Sequence, residues 1–135
     1  MKTNPTSLRF SSARSAGVML LASLVASHAG GKVAAWGDSS HGQTTLPKGF
    51  NNVRSIAAGS EHSLGLRADG TVVGWGWNDD GQATPPPLAD VVAIAAGGSV
   101  SLALRADGSV AAWGDNTWGQ TNVPAGLGPV AALAV

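Results

Sequence analysis

The sequence predicts an all-β fold made of repeated units, and three observations support this prediction. The string Trp-Gly, four variable residues and Gly-Gln occurs three times, at residues 36–43, 75–82 and 113–120. Its tryptophans are 39 and 38 residues apart, a spacing typical of solenoids and propellers. After residue 30, no stretch carries apolar residues at helical spacing without interruption by Gly or Pro.

A second motif repeats in phase with the first. Residues 53–59, Val-Arg-Ser-Ile-Ala-Ala-Gly, match residues 91–97, and residues 63–70, Ser-Leu-Gly-Leu-Arg-Ala-Asp-Gly, match residues 101–108. A further copy begins at residues 130–135. The sequence therefore contains two complete periods and parts of a third.

Within one period the residues predict three to four short strands. Residues 55–58 and 63–66 are short runs bounded by Gly, in which alternate side chains point to one face. The Asp-Gly pair at 69–70 predicts a tight hairpin turn before residues 72–76 return. Proline lacks the donor for a ladder, so three runs fit outer edges or linkers: 44–47, 84–87 and 121–124. Such a period describes one propeller blade, whose small inner residues crowd toward a shared axis: Ala57, Ala58, Ala95 and Ala96.

The first 29 residues have the pattern of a secretory signal. Three basic residues precede an apolar run at 16–26, and Ser27-His28-Ala29 provides small residues where a signal peptidase cleaves. An N-terminal anchor helix is the alternative, but eleven apolar residues fall short of the roughly 20 needed to span a bilayer. We therefore predict a signal helix at 1–29 that is cleaved, a repeat region at 30–135 with no membrane contact, and a secreted, periplasmic or cell-surface location.

Composition limits the possible partners. The chain has eight basic and eight acidic residues, and three of the basic ones lie in the leader, so five basic residues face eight acidic ones after Ala29. The five are scattered, and no basic stripe is available to neutralise phosphates, which argues against nucleic acid. The chain has no cysteine, which excludes disulfides and thiolate zinc sites.

These motifs resemble the repeats of the regulator of chromosome condensation (RCC1) family, and the likeness covers residues 31–135. Blades of that family carry a Trp-Gly…Gly-Gln segment and a Gly…His-Ser-Leu-Ala-Leu…Asp-Gly segment. Short-period bacterial versions, including secreted propeller-type β-lactamase inhibitory proteins, are still more similar. They look like Ala-Trp-Gly-Asp…Gly-Gln-Thr…Val-Pro. The matching strings here are residues 35–47, which end in Leu-Pro, and residues 112–124, which end in Val-Pro.

The resemblance implies a closed ring of seven blades, whereas residues 30–135 provide about 2.7 RCC1-like blades. Three explanations are open: a truncated reading frame, association of several chains into one ring, or an open fragment with exposed edge strands. We favour truncation, since the sequence stops within a repeat without a capping segment. The expected fold is a partial β-propeller.

The recurring residues are expected to be structural. Trp36, Trp75 and Trp113 occupy equivalent positions, and an aromatic residue that recurs in register is more often packing than binding, so all three are predicted to be core. The paired glycines of each motif are predicted to form turns with positive φ, and Gln43, Gln82 and Gln120 to fix those turns by side-chain hydrogen bonds.

The residues that vary between copies are the candidate binding residues. The four variable positions of each Trp-Gly…Gly-Gln loop are expected to lie on one rim, and Trp77 and Trp118 are extra tryptophans suited to be hot-spot anchors. An equally weighted alternative is that Trp77 and Trp118 each cover a neighbouring loop. In the inhibitory proteins the loops after Ala-Ala-Gly also contribute to the binding face. The predicted rim comprises Asp38, His41, Ser60, Glu61, Trp77, Asp79, Asp80, Ser99, Asp115, Asn116 and Trp118.

No catalytic, cofactor-binding or metal-binding residues are predicted. His41 and His62 are the only histidines after the leader, and neither a nucleophile elbow nor a His-Glu-x-x-His motif accompanies them. Residues 78–81 lack the alternating spacing of a calcium loop. The sequence thus favours an exported, non-catalytic protein-binding module. The alternatives are a structural or surface-display repeat without a discrete target and a carbohydrate-binding propeller.

Overall fold

The computed structural model describes residues 23–25 and 32–135, which form eight β-strands and no helix. The strands, in chain order, are β1 (Ser23–Val25), β2 (Lys32–Ala34), β3 (Val53–Ala58), β4 (His62–Arg67), β5 (Val72–Gly76), β6 (Val91–Gly97), β7 (Val100–Arg105) and β8 (Val110–Gly114). The all-β prediction is confirmed for these residues.

The predicted signal helix at 1–29 lies almost entirely outside the described residues. Its three described residues form β1, which pairs antiparallel with β2 in the register Ser23↔Ala34, Leu24↔Val33 and Val25↔Lys32. At these three positions the chain is therefore a strand and not a helix. The physical reason is that their backbone groups pair with those of β2 and not with groups four residues away in the same segment, as they would in a helix.

Two sheets of three antiparallel strands form two blades, in the orders β3-β4-β5 and β6-β7-β8. The two blades have matching registers, with Leu64 opposite Gly74 in the first and Leu102 opposite Ala112 in the second. The first strand of each blade has a shift in register near its start, between Val53 and Ser55 and between Val91 and Ala93. The period predicted from the sequence is therefore one three-stranded blade. The proline runs at 44–47 and 84–87 lie between strands, and the run at 121–124 follows β8.

The Asp-Gly turns join the second and third strands of each blade as predicted. Gly70 has a φ of 81°, which a residue with a side chain rarely adopts, and its N–H donates to Arg67 O over 3.0 Å. The Asp69 carboxylate accepts from the N–H and the hydroxyl of Thr71, at 3.0 and 2.6 Å. These bonds lower the pKa of Asp69, because they stabilise its ionised form.

The hydrophobic core lies between the two blades. Leu64 and Leu66 of β4 meet Val91, Ala103 and Trp113 of the second blade in one buried cluster. The Val91 N–H also donates to Gly70 O across the blades, over 3.3 Å. The same contact recurs one repeat later, where Val130 N–H donates to Gly108 O over 3.0 Å, although residues 115–135 form no strand.

The prediction that the three motif tryptophans are core is confirmed at two positions and wrong at the third. Trp75 and Trp113 are 8% and 9% exposed, whereas Trp36 is 48% exposed. The buried indoles lie against the Gly-Gln segment of the preceding repeat, where Trp75 Nε1 donates to Gln43 O and Trp113 Nε1 to Gln82 O, each over 2.9 Å. Trp36 belongs to the first motif copy, and the described residues include no earlier copy to cover it.

Candidate protein-binding rim

The variable loops lie at one edge of the blades because of the way the strands run. In each blade the turn between the first and second strands and the loop after the third strand leave the sheet at the same edge. Residues 59–61 and 77–82 therefore share this edge in the first blade, and residues 98–99 and 115–119 share it in the second. Asp38 and His41 lie in the equivalent loop after β2, residues 35–43, which reaches this edge through the contact of His41 with Trp77. We call this edge the rim, and all eleven predicted binding residues belong to its loops.

Backbone hydrogen bonds join the rim loops to one another. Trp77 N–H donates to Glu61 O over 2.8 Å, and Asp115 N–H donates to Ser99 O over 3.0 Å, so each long loop is tied to the short turn of its own blade. Ser60 N–H donates to Gly98 O over 3.0 Å, which links the short turns of the two blades. The rim is thus one connected backbone surface.

Each long loop is fixed internally by its motif glutamine, as the sequence predicts. The side-chain Oε1 accepts from the backbone N–H two residues earlier in all three copies: Gln43 from His41 over 2.9 Å, Gln82 from Asp80 over 3.0 Å, and Gln120 from Trp118 over 2.8 Å. The turns also need glycine, since Gly81 and Gly119 have φ of 77° and 80°. The variable side chains therefore project from rigid loops.

The third loop carries additional bonds around Asp115. Its carboxylate accepts from the Thr117 hydroxyl at 2.6 Å, from Thr117 N–H at 2.8 Å and from Gln120 Nε2 at 2.8 Å. These bonds lower the pKa of Asp115, with the Thr117 hydroxyl as the largest cause. Asn116 accepts from Thr121 N–H at 3.0 Å, so two of the predicted binding residues also hold the loop.

Three predicted residues from different loops meet at the first blade. The His41 ring stacks on Trp77, with ring centroids 5.4 Å apart and an angle of 26° between the planes. His41 Nδ1 lies 3.7 Å from Glu61 Oε2. The Trp77 ring is half-buried and covers the preceding loop, so its packing role is evident in the geometry. The sequence identifies these three residues but not their contact, because they are separated by 16 to 36 positions.

The other predicted residues stay apart from this cluster. Trp118 is 89% exposed and packs on no other aromatic ring among the described residues. Asp38, Asp79 and Asp80 are also exposed, and the Asp38 carboxylate accepts from Ser40 N–H at 2.9 Å. Ser60 and Ser99 are half-buried and contribute mainly backbone bonds. Trp118 is consequently the large apolar side chain that the rim presents to solvent.

Charge is divided between the rim and the opposite edge. Five acidic side chains occupy the rim: Asp38, Glu61, Asp79, Asp80 and Asp115. Arg54, Arg67 and Arg105 lie at the strand ends on the opposite edge, among other charges of both signs. A pocket of about 390 Å³ also lies there, lined by Pro87, Ala89, Asp90, Arg105, Ala106 and Asp107. The rim is thus acidic, whereas the opposite edge carries mixed charge.

A buried polar network below the rim was not predicted from the sequence. Ser101 Oγ donates to Gln82 O at 2.8 Å, so the His62 Nε2 atom, also 2.8 Å from Ser101 Oγ, must carry the proton and donate to it. His62 Nδ1 is then a buried acceptor without a hydrogen-bond partner. Burial lowers the pKa of His62 to about 4. The network joins the two blades across 39 residues, a separation at which no local pattern indicates it.

The described residues contain neither a metal-ligand cluster nor a membrane-spanning helix. Residues 23–25 and 32–135 contain no group of three or more His, Cys, Asp or Glu side chains able to hold a metal ion. The same part of the chain has no helix that could cross a membrane.

Comparisons with known proteins agree with this architecture. The sequence model of the regulator of chromosome condensation (RCC1) repeat matches residues 53–82 and 91–120. A curated relative, the probable E3 ubiquitin-protein ligase HERC3 of Homo sapiens, is 41% identical over 68 residues, which are 40% of this chain and 6% of that protein. The chain therefore spans only a small part of that relative.

Solved structures with the same fold include Prp20p of Saccharomyces cerevisiae, described for its binding to Gsp1p and histones. It has a TM-score of 0.65 and 24% identity, covering 91% of this chain and 34% of that one. Human WBSCR16 has a TM-score of 0.60 and 21% identity, covering 84% and 38%. The CRINKLY WD40 ectodomain of the Arabidopsis thaliana receptor kinase ACR4 has a TM-score of 0.58 and 26% identity, covering 81% and 36%.

The chain spans about a third of each of these structures. The two family matches coincide with the two three-stranded blades and the loops that follow them. This protein therefore carries RCC1-like repeats, folded as part of a β-propeller.

Proposed function

We propose that this protein is an exported, non-catalytic module that binds another protein through its rim. The observation that carries the proposal is the Trp118 side chain, which is 89% exposed on a loop held by the Gln120 and Asp115 hydrogen bonds. An exposed tryptophan on a rigid support loses little conformational freedom on binding and is a common hot-spot residue.

The surroundings of Trp118 support a protein partner. Five acidic side chains share the rim with it, so a partner surface with basic residues would be electrostatically complementary. RCC1-like repeats form binding and regulatory propellers, and Prp20p is described as binding protein partners. The pattern of a secretory signal at 1–29 supports export. Sequencing the N-terminus of the secreted protein tests the cleavage site, and a first residue other than Gly30 contradicts cleavage after Ala29.

Capture of partners from the culture medium or periplasm of the source organism tests the rim. The immobilised chain is compared with Trp118→Ala, and with Leu127→Ala as a matched control that removes another exposed apolar side chain. We expect Trp118→Ala to lower the affinity for the captured protein at least about tenfold, which corresponds to ~1.4 kcal/mol. Leu127→Ala should bind as the unaltered chain does.

Three outcomes decide against this proposal. Equal affinity of the Trp118→Ala variant for the captured protein removes Trp118 from the binding site. An exposed indole also suits stacking against a sugar ring, so binding of soluble oligosaccharides that depends on Trp118, without any captured protein, would identify a carbohydrate-binding propeller instead. A surface-display repeat without a discrete target would bind neither.

A further inference from the structure

The contact between successive repeats has a defined chemistry. The indole N–H of the motif tryptophan donates to the backbone carbonyl of the motif glutamine one repeat earlier, as in the Trp113–Gln82 and Trp75–Gln43 pairs, both 2.9 Å. The tryptophans are 8% and 9% exposed and both glutamines are 1% exposed. Each half of the contact is therefore buried by the other.

The same two halves occur once more, without each other, at opposite ends of the repeat array. Trp36 is 48% exposed, and within the described residues its indole N–H makes no hydrogen bond. Gln120 is exposed, although its side chain fixes its loop in the same way as Gln43 and Gln82 do. One end of the array thus presents the donor half of the inter-repeat contact, and the other presents the acceptor half.

The acceptor end is already shaped like the trailing side of a blade. Val130 N–H donates to Gly108 O over 3.0 Å, which repeats the contact between Val91 and Gly70. The chain of residues 129–135 therefore occupies the position of the first strand of a next blade. The outer part of that side, at Gln120, stays open to solvent.

We propose that a second copy of this chain docks head to tail on the array, with Trp36 of one copy donating to the Gln120 carbonyl of the other. The proposed contact continues an interface that the chain already makes twice within itself. Because the two patches differ, the association is heterologous, and further copies can add until a ring closes. The inference does not depend on a foreign partner binding to the rim.

Light scattering of the purified full chain over a range of concentrations tests the association. We expect the mass to rise above the 13.4 kDa of one chain with increasing concentration. Trp36→Ala should remain at the mass of one chain, and Leu127→Ala, which also removes an exposed apolar side chain, should associate as the unaltered chain does. An unaltered chain that stays monomeric, or a Trp36→Ala variant that associates equally, overturns the proposal.

The orientation needs its own measurement. A photo-reactive phenylalanine analogue placed at position 120 is mixed with an isotopically labelled copy that lacks it, and cross-linked peptides are identified by mass spectrometry. We expect the analogue to link to the labelled peptide that contains Trp36. Links from position 120 to labelled position 120 would indicate a symmetric dimer and overturn the head-to-tail arrangement. The two proposals fail separately, because association depends on Trp36 and partner binding depends on Trp118. A Trp36→Ala variant that still captures a rim partner supports the proposed function whether or not the chains associate.

Discussion

The His62 ring is buried with one nitrogen hydrogen-bonded and the other without a partner. Nε2 donates to Ser101 Oγ at 2.8 Å, and Nδ1 has no hydrogen-bond partner. A methyl group at Gly59 would overlap this side of the ring, so glycine there makes room for His62. Protonation of Nδ1 would leave a buried charge without an acceptor, which explains why the pKa of His62 falls to about 4.

We predict that His62 makes the protein less stable below neutral pH. Between pH 6.5 and about 4 the unfolded chain binds a proton at His62 that the folded chain does not bind. The free energy of unfolding should therefore fall as the pH falls through this window, by up to about 3 kcal/mol in total. Urea unfolding at a series of pH values measures this change.

The matched variant for this prediction is His62→Val, because Val100 occupies the equivalent position in the second blade. The difference in unfolding free energy between the two proteins should change with pH between 6.5 and 4. Carboxylates such as Asp69 contribute equally to the pH dependence of both proteins, so their effect cancels in the difference. An unchanged difference across this window would show that His62 takes up a proton as readily in the folded protein as in the unfolded chain.

At the scale of single elements, the two blades fill the same space with different pairs of side chains. The Phe50 ring lies over Gly65 in the middle of β4, where a Cβ would overlap it. In the second blade the equivalent positions are Leu88 and Ala103, and Leu88 packs against the core cluster to which Ala103 belongs. The larger Phe and the smaller Gly of the first blade thus correspond to the smaller Leu and the larger Ala of the second.

This compensation predicts a coupled pair. Gly65→Ala alone should lower the free energy of unfolding by about 1–3 kcal/mol, because the methyl group overlaps the Phe50 ring in a packed interior. Adding Phe50→Leu should recover most of that loss, since it recreates the pair of the second blade. A double-mutant cycle by urea unfolding measures the coupling.

A matched glycine provides the control. Gly128→Ala adds a methyl group where no atom lies within 4 Å, so its effect should stay within about 0.5 kcal/mol. If Gly65→Ala and Phe50→Leu are simply additive, the overlap is relieved by movement of the backbone and not by the ring, and the size-matching explanation fails.

The sequence predicts those elements whose cause is local. The hydrogen bonds that form the Asp69–Thr71 turn join residues two positions apart, and so do those by which the motif glutamines fix their loops. Both partners of each bond therefore lie within one repeated motif, where the sequence shows them together. The exposure of Trp36 and the contact of His41 with Trp77 depend on what the neighbouring repeat places beside them. The composition of the rim was therefore predictable, whereas its packing was not.

At the scale of the whole molecule, the two blades share one hydrophobic core. The cluster that contains Leu64 and Leu66 of the first blade is completed by Val91, Ala103 and Trp113 of the second. Repeat proteins are stabilised by contacts between neighbouring units as well as within them. The His62–Ser101 bond and the Val91–Gly70 backbone bond cross the same boundary. We therefore expect the two blades to unfold together.

Val91→Ala tests this cooperativity, because Val91 is 2% exposed and lies at the boundary. The cavity should lower the free energy of unfolding by about 2 kcal/mol. Hydrogen exchange of the slowest amides should then quicken by a similar factor, about 30-fold, in β4 as well as in β7. Val123→Ala, at a half-exposed position, should change neither quantity appreciably. Faster exchange confined to β6, β7 and β8 would show instead that the second blade opens alone, and that the shared cluster does not couple the blades.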